Sequence, residues 1–362
     1  TVATVNSSNA VLNGKITGDD LSLTLNSGSF ISPNVGNGLT VSGAAALQGA
    51  SASNYTLGAV LLSANITPAP LTISGTNANK TYTGLAQTNT AATITGLKNT
   101  DNFTITGYGT GTNVASYSDN LAASPVTGTS ANNYTITYNN GALTIGKANA
   151  TVTGNSSSVT YNGASQSVSG FSATGLVNSE TIAVLTGVTA TGATGTNVGS
   201  YTNTVSGTAN NYNLTFVSGA LTIGQKTLTI TANNQSTTYG TALTLGTSAF
   251  TTSGLVASDA VSSVTLLQGG NATIAATQAA GVYSGGTNGI IASAANGTGL
   301  GNYAIVYAPG TLTINKAVLT VTPNAQSQVY NGNTLNNAVY SNSVSNYSVS
   351  GYQNSDNAST AP

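Results

Sequence analysis

Apolar and polar residues alternate along short stretches of this chain. In "YNLTFVSGALTI", residues 212–223, every second position from Tyr212 is apolar, and a second alternating stretch follows after Ser218-Gly219. A period of two is typical of half-buried β-strands. The interrupting glycine predicts a β-hairpin, and related stretches carry "YNNG" and "APG" at the same turn.

The alternating stretches belong to an internal repeat that carries two tyrosine anchors. The tyrosine of an Asn-Tyr pair recurs 79, 78 and then 91 residues apart, at Tyr55, Tyr134, Tyr212 and Tyr303. The tyrosine of "TYTG", "TYNG", "TYGT" and "VYNG" shows the same three spacings, at Tyr82, Tyr161, Tyr239 and Tyr330. We interpret these tyrosines as half-buried rings whose hydroxyls reach solvent or a backbone group, with stacking against a ligand as the alternative.

Two further anchors support the repeat. A glycine is followed five residues later by an acid, at Asp19, Asp101, Glu180 and Asp259. The motifs "TNVASY" and "TNVGSY" end at Tyr117 and Tyr201. Agreement among several anchors indicates genuine repetition rather than biased composition.

These spacings predict a domain organisation. We expect three complete repeats, at 70–147, 148–225 and 226–316, the last of which carries an insertion. A partial repeat without its first strands precedes them at 1–69, and a partial repeat without its C-terminal hairpin follows at 317–362. About 79 residues can bury their own core, and no flexible linker separates the copies. The predicted fold is all-β, a tandem array of small Ig-like β-sandwich domains forming a rod, with β-grasp-like domains as the alternative.

Composition excludes several functions. The chain has 6 Lys, 7 Asp or Glu and no Arg, so a phosphate-binding basic surface is missing and nucleic-acid binding is not expected. There is no run of about 18 apolar residues, so membrane insertion is not expected either. His and Cys are absent, the acids are scattered, and the adjacent pair Asp19-Asp20 lacks a calcium-loop pattern. We therefore expect no enzyme activity, no cofactor and no metal.

The motifs "LTITANNQSTTYG", "SGLVASD" and "GTNVGSYTNTVSGTANNYNLTFVSGALTI" resemble the MBG- and YDG-type repeats of very large bacterial surface proteins, including filamentous-haemagglutinin-like adhesins. The resemblance covers nearly the whole chain and is most specific at Tyr239, at the Gly-Leu-Val motifs that begin at Gly175 and Gly254, and at the Asn-Tyr stretch. It implies a secreted, extracellular or cell-surface β-rich rod and no catalysis.

The expected function is structural: a subunit or segment of a bacterial surface fibre or adhesin stalk. A nearly uncharged surface favours self-association, either laterally or head to tail, because long-range repulsion is weak. In the head-to-tail form, the strand near Val318 to Val321 of one chain would complete the open sheet of residues 20–66 in the next. The alternative is a module that binds glycans or a host or matrix surface, although Trp, the usual sugar-stacking residue, is absent.

Overall fold

The computed structural model describes residues 2–3, 10–26, 28–256, 258–325, 327, 329–330, 332 and 347–357. Within these ranges the regular elements are β-strands and four three-residue 3-10 turns. This confirms the prediction of an all-β chain made of small β domains in tandem. None of the described helical turns is long and apolar enough to cross a membrane.

The strands are short throughout the chain. Residues 1–68 contain β1 (Val2–Ala3), β2 (Ser22–Leu25), β3 (Gly28–Phe30), β4 (Gly36–Ser42), β5 (Ala45–Gln48) and β6 (Leu62–Ile66). The next repeat contains β7 (Ala69–Gly75), β8 (Ala78–Thr81), β9 (Gln87–Thr88), β10 (Ala92–Thr95), β11 (Phe103–Thr106), β12 (Thr110–Gly111), β13 (Ala115–Ser118), β14 (Ala122–Pro125), β15 (Tyr134–Asn139) and β16 (Ala142–Gly146).

The second and third complete repeats follow the same plan. The second contains β17 (Ala148–Gly154), β18 (Ser157–Thr160), β19 (Gln166–Val168), β20 (Phe171–Thr174), β21 (Gly187–Ala190), β22 (Ala193–Gly195), β23 (Gly199–Asn203), β24 (Val205–Thr208), β25 (Tyr212–Val217) and β26 (Gly219–Gly224). The third contains β27 (Lys226–Ala232), β28 (Gln235–Thr238), β29 (Leu243–Thr244), β30 (Phe250–Ser253), β31 (Ala260–Leu267), β32 (Thr273–Ile274), β33 (Gly281–Tyr283), β34 (Ile291–Thr298), β35 (Tyr303–Ala308) and β36 (Leu312–Asn315). Beyond it lie β37 (Thr320–Pro323) and β38 (Tyr347–Ser350), and the 3-10 turns span Ala52–Asn54, Ala131–Asn133, Ile182–Val184 and Leu300–Asn302.

Two three-stranded sheets form the centre of the first complete repeat, in the orders β10–β7–β15 and β13–β16–β8. In each sheet one pair is parallel: Tyr134 lies opposite Ala69 in β15–β7, and Leu143 lies opposite Ala78 in β16–β8. The third repeat has the same arrangement, with the orders β30–β27–β35 and β28–β36–β33. Its first strand therefore also pairs in parallel with the strand that begins at the Asn-Tyr pair.

The predicted hairpin is wrong. The two alternating stretches of residues 212–223 form the consecutive strands β25 and β26, which lie in different sheets instead of pairing with each other. The corresponding strands of the preceding repeat, β15 and β16, also lie in different sheets. The glycine between them, Gly141, does not have the positive φ of a tight hairpin turn. Its role is close backbone approach, since a Cβ on Gly141 would lie 2.4 Å from the carbonyl oxygen of Thr76. Gly219 has the same role, since a Cβ on Gly219 would lie 2.3 Å from the carbonyl oxygens of Gly154 and Asn155.

The cores are built from the alternating positions. Leu71 and Ile73 of β7 and Leu143 and Ile145 of β16 are at most 1% exposed. Their side chains point to the same side of each strand because side chains alternate with a period of two. Full burial of each contributes roughly 1.5–3 kcal/mol. In the stretch whose alternation predicted the strands, Tyr212, Leu221 and Ile223 are at most 3% exposed, whereas Phe216 is 37% exposed. The alternation could not identify the strand partners.

The chain divides into two compact units. The first comprises Thr1–Thr151, Ala173–Val188 and Thr208–Thr215, and the second comprises Val152–Ser172, Thr189–Gly207 and Phe216–Pro362. The division passes through the 148–225 repeat, whose segments are shared between the units. In the first unit, residues 1–68 form the antiparallel sheet β1–β3–β4–β6 and the pair β2–β5. The exact repeat boundaries stay a prediction.

Candidate functional site: the junctions between repeats

The recurring residues meet where one repeat follows the next. Tyr82, in the first complete repeat, donates a hydrogen bond of 2.6 Å to Oε1 of Glu180, in the second. Tyr212 donates to Oε2 of the same carboxylate, and its hydroxyl accepts a hydrogen bond of 3.1 Å from the backbone N–H of Val177. The rings of Tyr82 and Tyr212 pack edge to face, with centroids 5.5 Å apart and planes at 82°. One carboxylate thus joins a tyrosine from each repeat.

The following junction repeats this geometry. Tyr161 and Tyr303 donate to Oδ2 of Asp259 at 2.7 and 2.8 Å, and Tyr303 accepts from the backbone N–H of Val256 at 3.0 Å. The two rings are again perpendicular, at 83°, with centroids 5.5 Å apart. Edge-to-face pairs of this kind contribute about 0.5–1.5 kcal/mol beyond their burial.

Two other carboxylates hold only the tyrosine of their own repeat. Tyr134 donates to Asp101 at 2.6 Å, and Tyr55 donates to Asp19 at 2.5 Å. Near Tyr134 the perpendicular ring comes from Phe103, in the same repeat, with centroids 5.7 Å apart. Among the described residues, no tyrosine of a preceding repeat reaches either of these acids.

A second set of contacts crosses each junction through the asparagine that precedes the Asn-Tyr tyrosine. Oδ1 of Asn211 accepts a hydrogen bond of 3.0 Å from the N–H of Val114, and its Nδ2 donates to Oδ1 of Asn113 at 3.0 Å. Because the asparagine amide carries both a donor and an acceptor, it can bond a backbone amide and a side-chain oxygen together. We call this two-bond contact the asparagine clasp.

The asparagine clasp occurs at three junctions. The other two clasps join Asn133 to Asn34-Val35 and Asn302 to Asn197-Val198. The "TNVASY" and "TNVGSY" anchors are thereby explained, since their asparagine and valine receive the next repeat. Their tyrosines hold the loop in shape: Tyr117 and Tyr201 donate to the carbonyl oxygens of Asn113 and Asn197, both at 2.9 Å.

The junction environment disfavours ionisation of its tyrosines. Burial, followed by the hydrogen bond to Glu180, raises the pKa of Tyr212 to about 12. The hydrogen bond to Glu180, followed by burial, raises the pKa of Tyr82 above its usual value, and Asp259 does the same for Tyr161. The physical cause is that a phenolate would lose its hydrogen bond to the carboxylate and be repelled by it. These tyrosines therefore act as neutral hydrogen-bond donors.

A different carboxylate holds the corner where β15 leads into β16. Asp119 is 3% exposed and accepts hydrogen bonds from the N–H groups of Gly109 and Gly141 at 2.8 and 3.1 Å and from Nδ2 of Asn89 at 3.3 Å. In the next repeat Asn203 occupies this position, fully buried, and its Nδ2 donates to two backbone carbonyl oxygens. Both side chains satisfy backbone groups inside the fold, so the corner is structural.

Six of the eight predicted tyrosine anchors therefore bond a carboxylate through their hydroxyls. The prediction of half-buried rings was wrong for five of them, which are at most 7% exposed. The predicted contact with a backbone group is present, since the hydroxyls of Tyr134, Tyr212 and Tyr303 each accept a hydrogen bond from a backbone N–H. The remaining two anchors do not take part: Tyr239 makes no hydroxyl hydrogen bond to the described residues, and Tyr330 is 93% exposed.

The sequence interpretation missed that the acid anchors are the partners of the tyrosines. A usable signal was present, since Tyr82 and Glu180 are 98 residues apart, as are Tyr161 and Asp259. The arrangement offers little for catalysis, because each shared carboxylate is occupied by two hydroxyl donors. In the part of the chain that the structure describes, no group of three potential metal ligands comes together.

Comparisons with known proteins agree with this organisation. Residues 150–222 and 228–313 match the MBG domain (YGX type), and residues 1–61 match the YDG domain. No curated protein matches the chain. The matched segments contain the acid and Asn-Tyr anchors described above, and the repeat between them carries the same anchors. Residues 150–222 and 228–313 are therefore MBG-type repeats, and residues 1–61 are of the YDG type.

Proposed function

We propose that this chain is a structural segment of a bacterial surface fibre or adhesin stalk, outside the cell, in which successive repeats are fastened directly to one another. The observation that carries the proposal is the shared carboxylate: Glu180 and Asp259 each bind one tyrosine from either side of a junction. A buried contact of this kind resists separation of neighbouring repeats, because separation would leave a carboxylate and a tyrosine without their partners.

The connections between repeats support the same proposal. β16 ends at Gly146 and β17 begins at Ala148, and β26 ends at Gly224 and β27 begins at Lys226, so one residue separates the strands in each case. Lys147, the residue between β16 and β17, donates to the carbonyl oxygen of Ala209 at 2.9 Å. Such connections suit a load-bearing spacer better than independently moving binding modules.

The glycan-binding alternative would use tyrosine rings as platforms under sugars. At the junctions those rings are buried and their hydroxyls are bonded to carboxylates, so they offer no open face. We therefore favour the structural function.

The localisation and load-bearing role can be tested together. Antibodies against the 226–316 repeat should label the surface of intact cells of the source bacterium, and protease treatment of those cells should remove the label. In single-molecule pulling, Glu180→Gln should lower the unfolding force of the repeats beside it. Labelling only after cell lysis, or an unchanged unfolding force, would contradict the proposal.

We also propose that copies associate head to tail by strand complementation. β37 pairs with β38 along one edge, and its other edge has no partner in the described residues. In the complete repeats that second edge pairs with the strand that begins at the Asn-Tyr pair. If a chain lacking residues 317–362 still forms normal filaments, this part of the proposal is wrong.

A further inference from the structure

Two junctions each hold a pair of tyrosine rings from successive repeats against one carboxylate. The ring centroids of Tyr82 and Tyr212 are 5.5 Å apart, as are those of Tyr161 and Tyr303. The two hydroxyls of each pair bond the same carboxylate, so the hydroxyl ends of the rings converge. The carbon atoms ortho to each hydroxyl converge with them. These ortho carbons are the positions at which oxidised phenols couple.

Each shared carboxylate is placed to accept the proton that a tyrosine releases on oxidation. Loss of one electron makes a phenol O–H strongly acidic, so its proton moves along the existing hydrogen bond. Tyr82 donates to Glu180 at 2.6 Å and Tyr161 donates to Asp259 at 2.7 Å, both within the range for direct proton transfer. The transfer avoids leaving a positive charge on a buried ring. Both carboxylates are half-buried and can pass the proton on to solvent.

The paired rings are shielded from other reaction partners. All four are at most 5% exposed. A radical formed on one of them therefore meets the paired ring before it meets a solute or another chain. The oxidant itself need not touch the ring, because an electron can tunnel through a thin layer of protein. Burial thus favours coupling within each pair.

We propose that these two tyrosine pairs are sites of dityrosine formation, a covalent cross-link between successive repeats. The co-reactant is a one-electron oxidant, such as a peroxidase acting with hydrogen peroxide. Each tyrosine gives one electron to the oxidant and its hydroxyl proton to the carboxylate, which releases the proton to solvent. The two neutral radicals then form one carbon–carbon bond between their ortho carbons.

The reaction balances in atoms and electrons. After coupling, the hydrogen on each joined carbon moves to the neighbouring oxygen, which restores both phenols. The cross-linked chain has lost two hydrogen atoms, as two electrons and two protons. One hydrogen peroxide accepts all of these and becomes two molecules of water. The inference goes beyond the proposed function and does not depend on where the chain is located.

Tyr134 provides a control within the same chain. Its hydroxyl donates to Asp101 at 2.6 Å, and its ring packs edge to face against Phe103, with centroids 5.7 Å apart and planes at 81°. Phe103 has no hydroxyl, so it cannot form the second phenoxyl radical. The carboxylate and the ring geometry are retained there while the coupling chemistry is missing. Tyr134 should therefore stay unlinked.

The test treats the full chain, at low concentration, with hexachloroiridate(IV), an outer-sphere one-electron oxidant, and then identifies cross-links by trypsin digestion and mass spectrometry. Cleavage after Lys80 and Lys98 releases residues 81–98, in which Tyr82 is the single tyrosine. One expected product joins this peptide to residues 148–226, with the loss of two hydrogen atoms. The other joins residues 148–226 to residues 227–316, and fragmentation identifies the linked tyrosines.

The yields distinguish paired from unpaired tyrosines. Both products should be at least about tenfold more abundant than any cross-linked peptide from residues 99–147, which carry Tyr134, because the paired rings are held together before reaction. Oxidation of the urea-unfolded chain should remove this preference. Failure of the two products to form, or cross-links spread evenly over the tyrosines of the folded chain, would overturn the inference.

Two variants identify the groups that react. Tyr82→Phe should abolish the product that contains residues 81–98 and leave the other product, whereas Tyr108→Phe should leave both. Glu180→Gln should lower the first product several-fold relative to the second, because the amide does not accept the proton. Equal yields in the parent chain and Glu180→Gln would show that the carboxylate plays no part. The proposed structural function would survive all of these failures, since cell-surface labelling and pulling of the unoxidised chain test it separately.

Discussion

Tyr82 donates a hydrogen bond to Glu180, which lies 98 residues further along the chain and in the next repeat. Tyr161 and Asp259 form the same contact over the same sequence distance. The repetition of anchors along the chain therefore reflects the contacts between repeats. Each copy presents one half of a junction to the preceding repeat and the other half to the following one, and buried residues of adjacent repeats, such as Leu221 and Leu228, belong to one core cluster.

Removal of the Tyr82 hydroxyl should destabilise the junction. Tyr82→Phe is expected to lower the free energy of unfolding by about 1.5–3 kcal/mol, because its hydrogen bond partner is a carboxylate. Urea unfolding measures the change. Tyr108→Phe is the control, since the Tyr108 hydroxyl makes no hydrogen bond in the described structure, and it should change stability little.

A double-mutant cycle identifies the partner in this contact. Tyr82→Phe and Glu180→Gln should be strongly non-additive, because the first removes the hydrogen bond and the second weakens it, since glutamine offers one uncharged acceptor oxygen to the two tyrosines. Glu180→Gln and Tyr161→Phe should be nearly additive, since Tyr161 bonds a different carboxylate. Additivity in the first pair would contradict the shared-carboxylate junction.

Stability should fall at alkaline pH. The pKa of Tyr212 is raised to about 12, first by burial and then by the hydrogen bond to Glu180. An unfolded tyrosine ionises near pH 10, so between about pH 10 and 12 the unfolded chain releases a proton that the folded chain retains. The stability that the raised pKa of Tyr212 contributes is fully present below pH 10 and is lost as the pH rises through 12.

Urea unfolding across this pH range, with tyrosinate absorbance recorded in parallel, measures the effect. Tyr212→Phe should be less stable than the parent chain at neutral pH and should lose less stability on going to high pH. An identical pH dependence in the two proteins would mean that Tyr212 is not the responsible group.

The glycine at the corner between sheets should not tolerate a side chain. In Gly219→Ala the new Cβ would lie 2.3 Å from two backbone carbonyl oxygens, so the two crossing strands would have to separate. We expect a loss of about 1–3 kcal/mol, as for other overpacked positions. Gly58→Ala is the matched control because no atom lies within 4 Å of its Cβ position. Thermal unfolding of both variants compares them, and equal melting temperatures would exclude the close-approach explanation.

The asparagine clasp can be examined at one amide. Asn302→Ala removes the acceptor of the Val198 N–H, which is 2.9 Å away, and the donor to Asn197. Stability should fall by about 1–3 kcal/mol because a junction amide loses its partner, and hydrogen exchange at Val198 should accelerate. Asn213→Ala, at an exposed position of β25, should leave both the stability and the hydrogen-exchange rate of Val198 unchanged. Unchanged protection of Val198 in Asn302→Ala would show that the clasp does not hold this amide.

Much of the architecture was readable from the chain itself. Alternation placed Tyr212, Leu221 and Ile223 on apolar strand faces, and all three are at most 3% exposed, since strand side chains alternate with a period of two whatever the strand partner is. The recurring tyrosines and acids marked the repeats, and their motifs pointed to the MBG/YDG type that the family matches support. All of this information is local, or depends only on comparison of one copy with another.

Strand partners and junction contacts were decided by the tertiary structure. β15 and β16 follow one another and look like a hairpin, yet each pairs in parallel with a strand from the start of the repeat. A glycine that fits a tight turn also fits a close crossing of two backbones, so the sequence could not distinguish them. In the same way, the sequence alone does not distinguish Glu180 from an acidic residue that simply faces solvent. Only the fold brings Tyr82 and Tyr212 to it, because a hydrogen bond depends on distance in space, which the spacing of residues does not determine.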